Sequence, residues 1–296
     1  MRHDTIGYMS TGHENADVNT KITFLGCGSM NEAILGGILA GGLPAAQLTA
    51  TVRRPERAEE LRNQHGITVL SNNEDANANR TAVAGAGVVI LGVKPVGIVD
   101  LCRDIADSLS QDTVVLSVAA AVSLELLEGS LNEGQPVVRT MPNTPSRVGR
   151  GVVSVSAGSA CSREQLDRAI EALKPTGTVV EIPEEQVDAL SAVSGSGPAY
   201  AFYLAEHMAN AGIALGLDDE LARTIARETV AGAGFMLAED GVDAATLRRK
   251  VTSPNGTTEQ AIKTFDAKGM PGIIEAGARN AAARAAEITA ELKAKG

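Results

Sequence analysis

The stretch ITFLGCGSM, residues 22–30, decides the fold of this chain. A short apolar run ends in Gly26-x-Gly28, and helical spacing of apolar residues follows it. The first glycine of such a turn permits a sharp bend, and the second lets the backbone approach a pyrophosphate. Asn31 stands where the full G-x-G-x-x-G pattern has its third glycine. An ordinary glycine-rich turn is the alternative, but the strand–helix context favours a dinucleotide site. The predicted contacts with the pyrophosphate are therefore made at Gly26 and Gly28.

The same alternation of strand, turn and helix patterns continues to about Pro183. Continuous apolar runs such as Val88-Val89-Ile90-Leu91 are typical of strands buried on both faces. Alternating strands and helices predict βαβ units and a doubly wound parallel sheet. The further strands are predicted at residues 48–52, 67–70, 88–91, 114–118 and 137–139, with 152–156 and 178–182 completing the sheet at its edge.

Beyond Pro183 the strand-like runs give way to alanine-rich helical patterns. Helices are predicted at residues 187–215, 219–239, 244–250, 258–268 and from 270 to the C-terminus. Glycine and proline in SGSGPAY, residues 194–200, predict an interruption of the first of these helices, either a kink or a loop between two helices. Small residues at close spacing let such helices approach one another or a second subunit, so we expect a helical dimer; a monomeric helical lobe is the alternative. The predicted division is a disordered extension at 1–20, an NADP-binding domain at 21–183, and an all-α substrate-binding and dimerisation domain at 184–296.

The residues after the second predicted strand indicate which nicotinamide cofactor is used. An acidic residue there would bond the ribose hydroxyls of NAD, but this chain has Arg53-Arg54. Paired guanidinium groups favour a 2′-phosphate. We therefore expect NADP(H), with NAD(H) as the second choice; a solvated basic turn is the alternative interpretation of these arginines.

Later strand ends carry more candidate cofactor contacts. Ligands of open parallel sheets bind at the carboxyl ends of the strands, where Val93-Lys94-Pro95 and Ala120 follow their strands. Lys94 is equally well explained as a surface lysine. Asn143, in a rigid turn between two prolines, is expected either to bond the nicotinamide amide or to form a structural turn.

The segment VTSPNGTT, residues 251–258, predicts a second binding site. A turn rich in proline, glycine and hydroxyl groups leads directly into a helical pattern, and the start of that helix leaves backbone N–H groups and a positive dipole end for a small anion such as a carboxylate. The expected substrate contacts are Ser253, Gly256, Thr257 and Thr258.

Composition excludes several classes of function. The net charge of −10 argues against nucleic acid as a partner, because phosphate binding needs a basic face. The three cysteines and four histidines show no metal-ligand spacing, so we expect no metal and a reducing, cytoplasmic setting. Apolar runs are shorter than a bilayer requires, so we expect no membrane partner.

Five motifs occurring in this order resemble pyrroline-5-carboxylate reductase over roughly residues 21–290: LGCGSM (25–30), VKP (93–95), MPNTP (141–145), SGSGPAY (194–200) and VTSPNGTT (251–258). The resemblance implies a Rossmann-type domain followed by an all-α dimerisation domain, dimers assembled into a larger ring such as a decamer, and NAD(P)H as cofactor. It implies cofactor contacts from Gly26 to Met30, Arg54, Asn73, Val93, Lys94 and Ala120, and substrate contacts from Thr257 and Thr258.

Two residues depart from the family pattern. Asn31 replaces a small residue, and Asn255 stands where the family commonly has glycine, so we expect Asn255 in a left-handed conformation, which asparagine tolerates. Residues 72–86 look longer than usual, which leaves the placement of Asn73 open.

The implied reaction is hydride transfer from C4 of NADPH to the C=N carbon of 1-pyrroline-5-carboxylate, giving L-proline, with Thr258 bonding the ring nitrogen as the catalytic residue. A β-hydroxyacid dehydrogenase of the same architecture is the nearest alternative, but the Gly-x-x-x-Lys element expected of one is missing from residues 187–215. Another cyclic imine acid as substrate, and a non-catalytic cofactor-sensing protein, remain open alternatives.

Overall fold

The computed structural model describes residues 20–239, 241 and 243–293. The extension predicted at residues 1–20 lies, apart from Thr20, outside the described residues. Within these described residues, eight strands form one sheet. They are β1 (Ile22–Leu25), β2 (Leu48–Val52), β3 (Thr68–Ser71), β4 (Val88–Leu91), β5 (Val114–Ser117), β6 (Val137–Met141), β7 (Gly151–Ala157) and β8 (Gly177–Glu181).

The strand order is β3-β2-β1-β4-β5-β6-β7-β8, and every neighbouring pair is parallel except β6 and β7. This confirms the predicted doubly wound sheet and the position of its last two strands at the edge, with one reversed pair. The reversal follows from the linker, residues 142–150, which is shorter than the dozen or so residues of a parallel crossover. The chain order changes direction between β1 and β4, so a crevice is expected outside their carboxyl ends.

Helices cover both faces of the sheet. They are α1 (Ser29–Ala40), α2 (Pro55–His65), α3 (Ala78–Val83), α4 (Ile98–Ile105), α5 (Leu124–Glu128) and α6 (Arg163–Leu173). Side chains alternate along each strand, so Phe24 and Ile90 belong to the core under α1, α2 and α6, whereas Leu25 and Leu91 belong to the core under α3, α4 and α5. β1, β4 and β5 are buried along their whole length, as the apolar runs predicted.

After β8, the described residues are helical or lie in turns. The helices are α7 (Val187–Leu190), α8 (Gly197–Ala214), α9 (Asp219–Leu237), α10 (Ala244–Lys250), α11 (Thr257–Ala267) and α12 (Met270–Lys293). The helix predicted at 187–215 is broken by a π-helical turn at Ser191–Gly195, because Pro198 lacks the N–H that a continuous helix would need. The Tyr200 hydroxyl donates to the Ala192 carbonyl at 2.9 Å and so connects α8 to the π-helical turn. Within the described ranges, no helix is both long and apolar enough to cross a membrane.

Candidate active site

The turn after β1 has the geometry of a pyrophosphate cradle. Gly26 adopts a φ of +77°, and an added Cβ would lie 2.6 Å from Val93 Cγ1, so only glycine fits there. Gly28 caps α1 without a side-chain bond and has open space where a Cβ would stand. The first N–H groups of α1, from Ser29 onward, therefore lack helical acceptors and lie at a positive dipole end. The turn fits a bound phosphate group.

Cys27 contributes its backbone to this turn and not a reactive side chain. Its N–H donates to the Thr51 carbonyl at 2.9 Å, and its side chain is buried. Burial, together with the nearby Glu32 carboxylate, raises the pKa of the Cys27 thiol from 9.0 to about 12, against a smaller opposing effect of Arg57. The thiol is therefore neutral at physiological pH and poorly nucleophilic.

The arginine pair and Asn73 lie together at the neighbouring strand ends. Arg53 and Arg54 are exposed between β2 and α2. The Asn73 N–H donates to the Arg53 carbonyl at 3.1 Å, and the Ser71 hydroxyl donates to the same oxygen at 3.1 Å. The structure thus joins three residues predicted to bind the cofactor, with both arginines open to solvent.

The loops after β4 and β5 lie on the other side of the pyrophosphate turn. Lys94 and Ala120 are exposed, whereas Val93 and Pro95 are half-buried. Ala121, next to Ala120, is buried and adopts a φ of +64°, a conformation that costs a residue with a side chain. The sequence did not indicate this strained alanine, because a run of three alanines carries no sign of its backbone conformation.

Both polar atoms of the Asn143 side chain make hydrogen bonds within the protein. Its Nδ2 donates to the Ser194 carbonyl at 3.0 Å, and its Oδ1 accepts from the Val152 N–H at 2.9 Å. The buried amide ties the turn after β6 to the π-helical turn and to β7. These contacts favour the structural role over bonding to nicotinamide, and the cofactor contact stays a prediction.

A cavity of about 280 Å³ opens beside this edge of the sheet. Ala120 and Ala121 line one side, Arg139 and Met141 of β6 line another, and the remaining walls come from α7, the π-helical turn and α12. Arg139 is buried and was not predicted to lie at the site, although a charge inside the apolar run of β6 was a signal for a buried ion pair.

The predicted anion loop has the expected backbone. α11 begins at Thr257, and Gly256 caps it without a side-chain bond. Asn255 has a φ of +60°, the left-handed conformation predicted from its replacement of glycine. Thr258 is half-buried, whereas Ser253 and Thr257 are exposed. The Gly256 N–H donates to the Ser253 carbonyl at 3.0 Å, so the groups left for an anion are those of the first helical turn, Thr257 and Thr258.

Glu259, in the first turn of α11, stabilises the conformation of this loop. Its Oε2 accepts from the Asn255 N–H at 3.0 Å and pairs with Lys263 Nζ at 3.0 Å. The hydrogen bond from Lys263, then that from the Asn255 backbone, holds the pKa of Glu259 below its ordinary value. The loop conformation is thus maintained by a charged side chain that also bonds a cation.

The predicted site residues therefore form two groups. The glycine turn, the arginine pair with Asn73, and the loops after β4 and β5 share the carboxyl edge of the sheet. The anion loop belongs to the helical half, where α11 packs on α12 and α12 packs on α7 and the π-helical turn.

Comparisons with known proteins find family matches to both halves of the chain. Residues 184–288 match the family described as pyrroline-5-carboxylate reductase dimerisation, and residues 21–121 match NADP oxidoreductase, coenzyme F420-dependent. The chain is 39% identical to pyrroline-5-carboxylate reductase of Pseudomonas aeruginosa, over 92% of this chain and 98% of that protein. It is 37% identical to the enzyme of the same name from Corynebacterium melassecola, over 91% and 98% of the two chains.

Solved structures give the same result. The pyrroline-5-carboxylate reductase of Coxiella burnetii superposes with a TM-score of 0.84 at 33% identity, covering 91% of this chain and 98% of that one. A Plasmodium falciparum pyrroline carboxylate reductase with NADP bound shares the fold, with a TM-score of 0.77 at 21% identity over 90% and 97% of the chains. On the length and level of identity, the chain belongs to the pyrroline-5-carboxylate reductase family.

Proposed function

We propose that this protein reduces 1-pyrroline-5-carboxylate to L-proline with a reduced nicotinamide cofactor, the final step of proline biosynthesis. The observation that carries the proposal is the presence in one chain of two ligand-sized turns that each end in a glycine N-cap without a side-chain hydrogen bond, at Gly28 and at Gly256. The first fits a pyrophosphate and the second a carboxylate. Relatives of this length that carry the name pyrroline-5-carboxylate reductase support it.

The cofactor is assigned to the carboxyl edge of the sheet. Backbone groups of the turn would hold the pyrophosphate, while the loops after β4 and β5 would border the nicotinamide. We assign these contacts to Gly26, Cys27, Gly28, Ser29, Met30, Val93, Lys94, Pro95 and Ala120.

NADPH is the preferred cofactor in this proposal, with NADH as the second choice. Arg53 and Arg54 are exposed beside Asn73, and two guanidinium groups suit the 2′-phosphate that distinguishes NADPH. The Plasmodium falciparum structure holds NADP, which supports this choice.

The substrate is assigned to the anion loop. The N–H groups of Thr257 and Thr258 would hold the carboxylate, with Ser253 and Gly256 shaping the loop around it. The Thr258 hydroxyl would accept a hydrogen bond from the protonated ring nitrogen and so orient the C=N bond. The cofactor, when bound, supplies the hydride to the imine carbon, and a solvent proton keeps the nitrogen protonated. Holding both reactants in place can contribute ~7–11 kcal/mol to lowering the barrier.

We propose that the site is completed in a homodimer. Large apolar side chains are exposed on three helices of the C-terminal half, among them Phe202 on α8 (68%), Phe235 on α9 (65%) and Ile273 on α12 (66%). Monomeric proteins rarely expose so many together. The dimerisation family that matches residues 184–288 supports this arrangement. Association would bring an anion loop to the cofactor edge, and dimers would assemble further into a ring such as a decamer.

The same proposal divides the chain into a cofactor domain at residues 21–183 and a substrate-binding and dimerisation domain from residue 184. The dividing point follows the last strand, β8, and precedes α7. The cytoplasmic location expected from the sequence stays a prediction.

An absorbance assay at the reduced-nicotinamide band tests the reaction. The protein is mixed with NADPH and 1-pyrroline-5-carboxylate, and in parallel with cyclic imine acids of other ring sizes. We expect consumption of NADPH with formation of L-proline, fastest for 1-pyrroline-5-carboxylate. Faster turnover of another imine would replace the substrate, and binding of NADPH without its consumption would favour a cofactor-sensing protein. Sedimentation in the same buffer measures the assembly.

A further inference from the structure

Asn31, where the glycine pattern would have its third glycine, is integrated into the cofactor turn. It lies in the first turn of α1 and is only 1% exposed. Its Nδ2 lies 3.3 Å from the Gly26 carbonyl oxygen and 3.4 Å from the Ile90 carbonyl oxygen. One side-chain amide therefore links the helix to the turn after β1 and to β4, two strands on either side of the crevice.

Gly92 provides the space that this amide occupies. A Cβ added at Gly92 would lie 2.2 Å from Asn31 Nδ2 and 2.3 Å from Asn31 Cγ, distances that real atoms do not adopt. Gly92 is itself bound to the end of β1, because its N–H donates to the Leu25 carbonyl at 2.9 Å. Residues 31 and 92 are thus a matched pair: the asparagine requires the glycine.

The carbonyl that Asn31 binds is part of the cradle. Gly26 is in a left-handed conformation, and its carbonyl also accepts from the Gly28 N–H at 2.9 Å. Its own N–H points to Thr51 Oγ1 at 3.3 Å. A carbonyl oxygen that turned outward would present negative charge to a pyrophosphate. The Asn31 amide opposes that rotation, because it gives the Gly26 carbonyl a second hydrogen bond only while this carbonyl points inward.

The Oδ1 atom of Asn31 indicates that stability alone does not explain this asparagine. Asn31 Oδ1 is buried and has no hydrogen-bond partner among the residues that the structure describes. A buried acceptor without a partner weakens the folded state. An apolar or smaller residue would avoid that penalty, so a stability argument does not explain an asparagine at this position.

We propose that Asn31 is a positioning residue for the cofactor. Its amide orients the Gly26 peptide so that the N–H groups at the start of α1 face the pyrophosphate, and Gly92 provides the room. This inference rests on the proposed cofactor site.

The test compares wild type with Asn31→Ala, Gly92→Ala and the double variant Asn31→Ala/Gly92→Ala. The Kd for NADPH is measured from the fluorescence of the reduced nicotinamide, which is observed against little protein signal because the chain has no tryptophan. Thermal unfolding and steady-state kinetics are measured on the same samples.

We expect Asn31→Ala to raise the Kd and KM for NADPH about tenfold, which corresponds to the net free energy of one hydrogen bond. The kcat at saturating NADPH should stay nearly unchanged. Gly92→Ala alone should unfold at a lower temperature, because its methyl group collides with the Asn31 amide. The double variant should recover the unfolding temperature and keep the raised Kd.

A wild-type Kd in Asn31→Ala, or in the double variant, would overturn the assignment, since Asn31 would then only fill space. The double variant keeps the test decisive even if Gly92→Ala does not fold. Failure of the wild-type protein to bind NADPH is a distinct result that overturns the cofactor site itself, and this assignment with it.

Discussion

Arg139 Nη1 lies 2.8 Å from Glu184 Oε1, which joins β6 of the sheet to the first residues of the helical half. The arginine side chain is 7% exposed, and Asp188 Oδ1 lies 3.9 Å from its Nη2. The same Glu184 oxygen accepts from the Leu124 N–H at the start of α5 at 2.8 Å. One carboxylate therefore connects three segments beside the cavity at the cofactor edge.

Glu184→Ala should lower the free energy of unfolding by about 3 kcal/mol, because it leaves a buried guanidinium with only the more distant Asp188. Urea denaturation measures the change. Glu185→Ala is the matched control: Glu185 is adjacent and exposed, so its loss should change the value by less than about 0.5 kcal/mol. Equal effects of the two substitutions would contradict the role of the buried pair.

Thr258→Ala should lower kcat/KM for the imine by roughly 10-fold to 100-fold, since it removes the hydroxyl assigned to the ring nitrogen. The Kd for NADPH and the unfolding temperature should stay at wild-type values. Thr264→Ala is the control on the same helix, because Thr264 is exposed and its hydroxyl donates to the Gln260 carbonyl of its own helix. Unchanged kinetics of Thr258→Ala would remove Thr258 from the active site.

The double substitution Arg53→Ala/Arg54→Ala should weaken NADPH roughly 100-fold and leave NADH binding nearly unchanged, because only NADPH carries the 2′-phosphate. Titration of both cofactors against the same samples measures the difference. Arg103→Ala, which removes one exposed arginine of α4, shows how much the loss of a single surface charge outside the predicted site contributes. An equal loss for both cofactors would count against recognition of the 2′-phosphate.

Ala121→Gly should raise the free energy of unfolding by up to about 1 kcal/mol, because the left-handed conformation at φ +64° strains an alanine, partly offset by the greater freedom of glycine in the unfolded chain. Asn255→Gly should gain less, since asparagine tolerates that conformation better. Ala120→Gly, where the backbone has no positive φ, should lose stability. A loss in Ala121→Gly as large as that in Ala120→Gly would show that the strain is negligible.

Alkaline pH should destabilise the protein through its buried thiols. Burial raises the pKa of Cys102 from 9.0 to about 12, so the folded state keeps a proton that the unfolded state loses. The stabilisation from the neutral thiol is complete below pH 9 and declines by about 1.4 kcal/mol per pH unit above it, until about pH 12. Stability measured by denaturation between about pH 8 and 10.5 should therefore fall less steeply for Cys102→Ala than for wild type. Parallel curves would show that the thiol ionises equally in both states.

Local patterns sufficed for most of the secondary structure. β1, β2, β4 and α10 have the predicted bounds, because apolar runs and helix-forming residues specify them within a few positions. The direction of β7 was not predicted, because it depends on how far a short linker reaches. An interruption near residues 194–200 was predicted from glycine and proline, but its form, a π-helical turn at Ser191–Gly195, was not, because the sequence pattern does not specify the backbone hydrogen bonds there.

The sequence likewise predicted some features of the candidate site and not others. The left-handed Asn255 was expected from the sequence, because asparagine is among the few residues that can replace glycine in that conformation. The use of Asn143 as a tether between the turn after β6 and Ser194 was left open as one of two roles, and the hydrogen bonds favour it. No local pattern indicated the left-handed Ala121.

The sequence by itself determined the two helix starts assigned to ligands, at Gly28 and Gly256, because glycine, proline and hydroxyl residues act on their own backbone and its nearest neighbours. Only the tertiary structure decided that Asn31 bonds Ile90, 59 residues away, and that Arg139 pairs with Glu184, 45 residues away. Such contacts depend on side-chain atoms meeting within a few tenths of an ångström, and packing of the sheet and helices sets that distance.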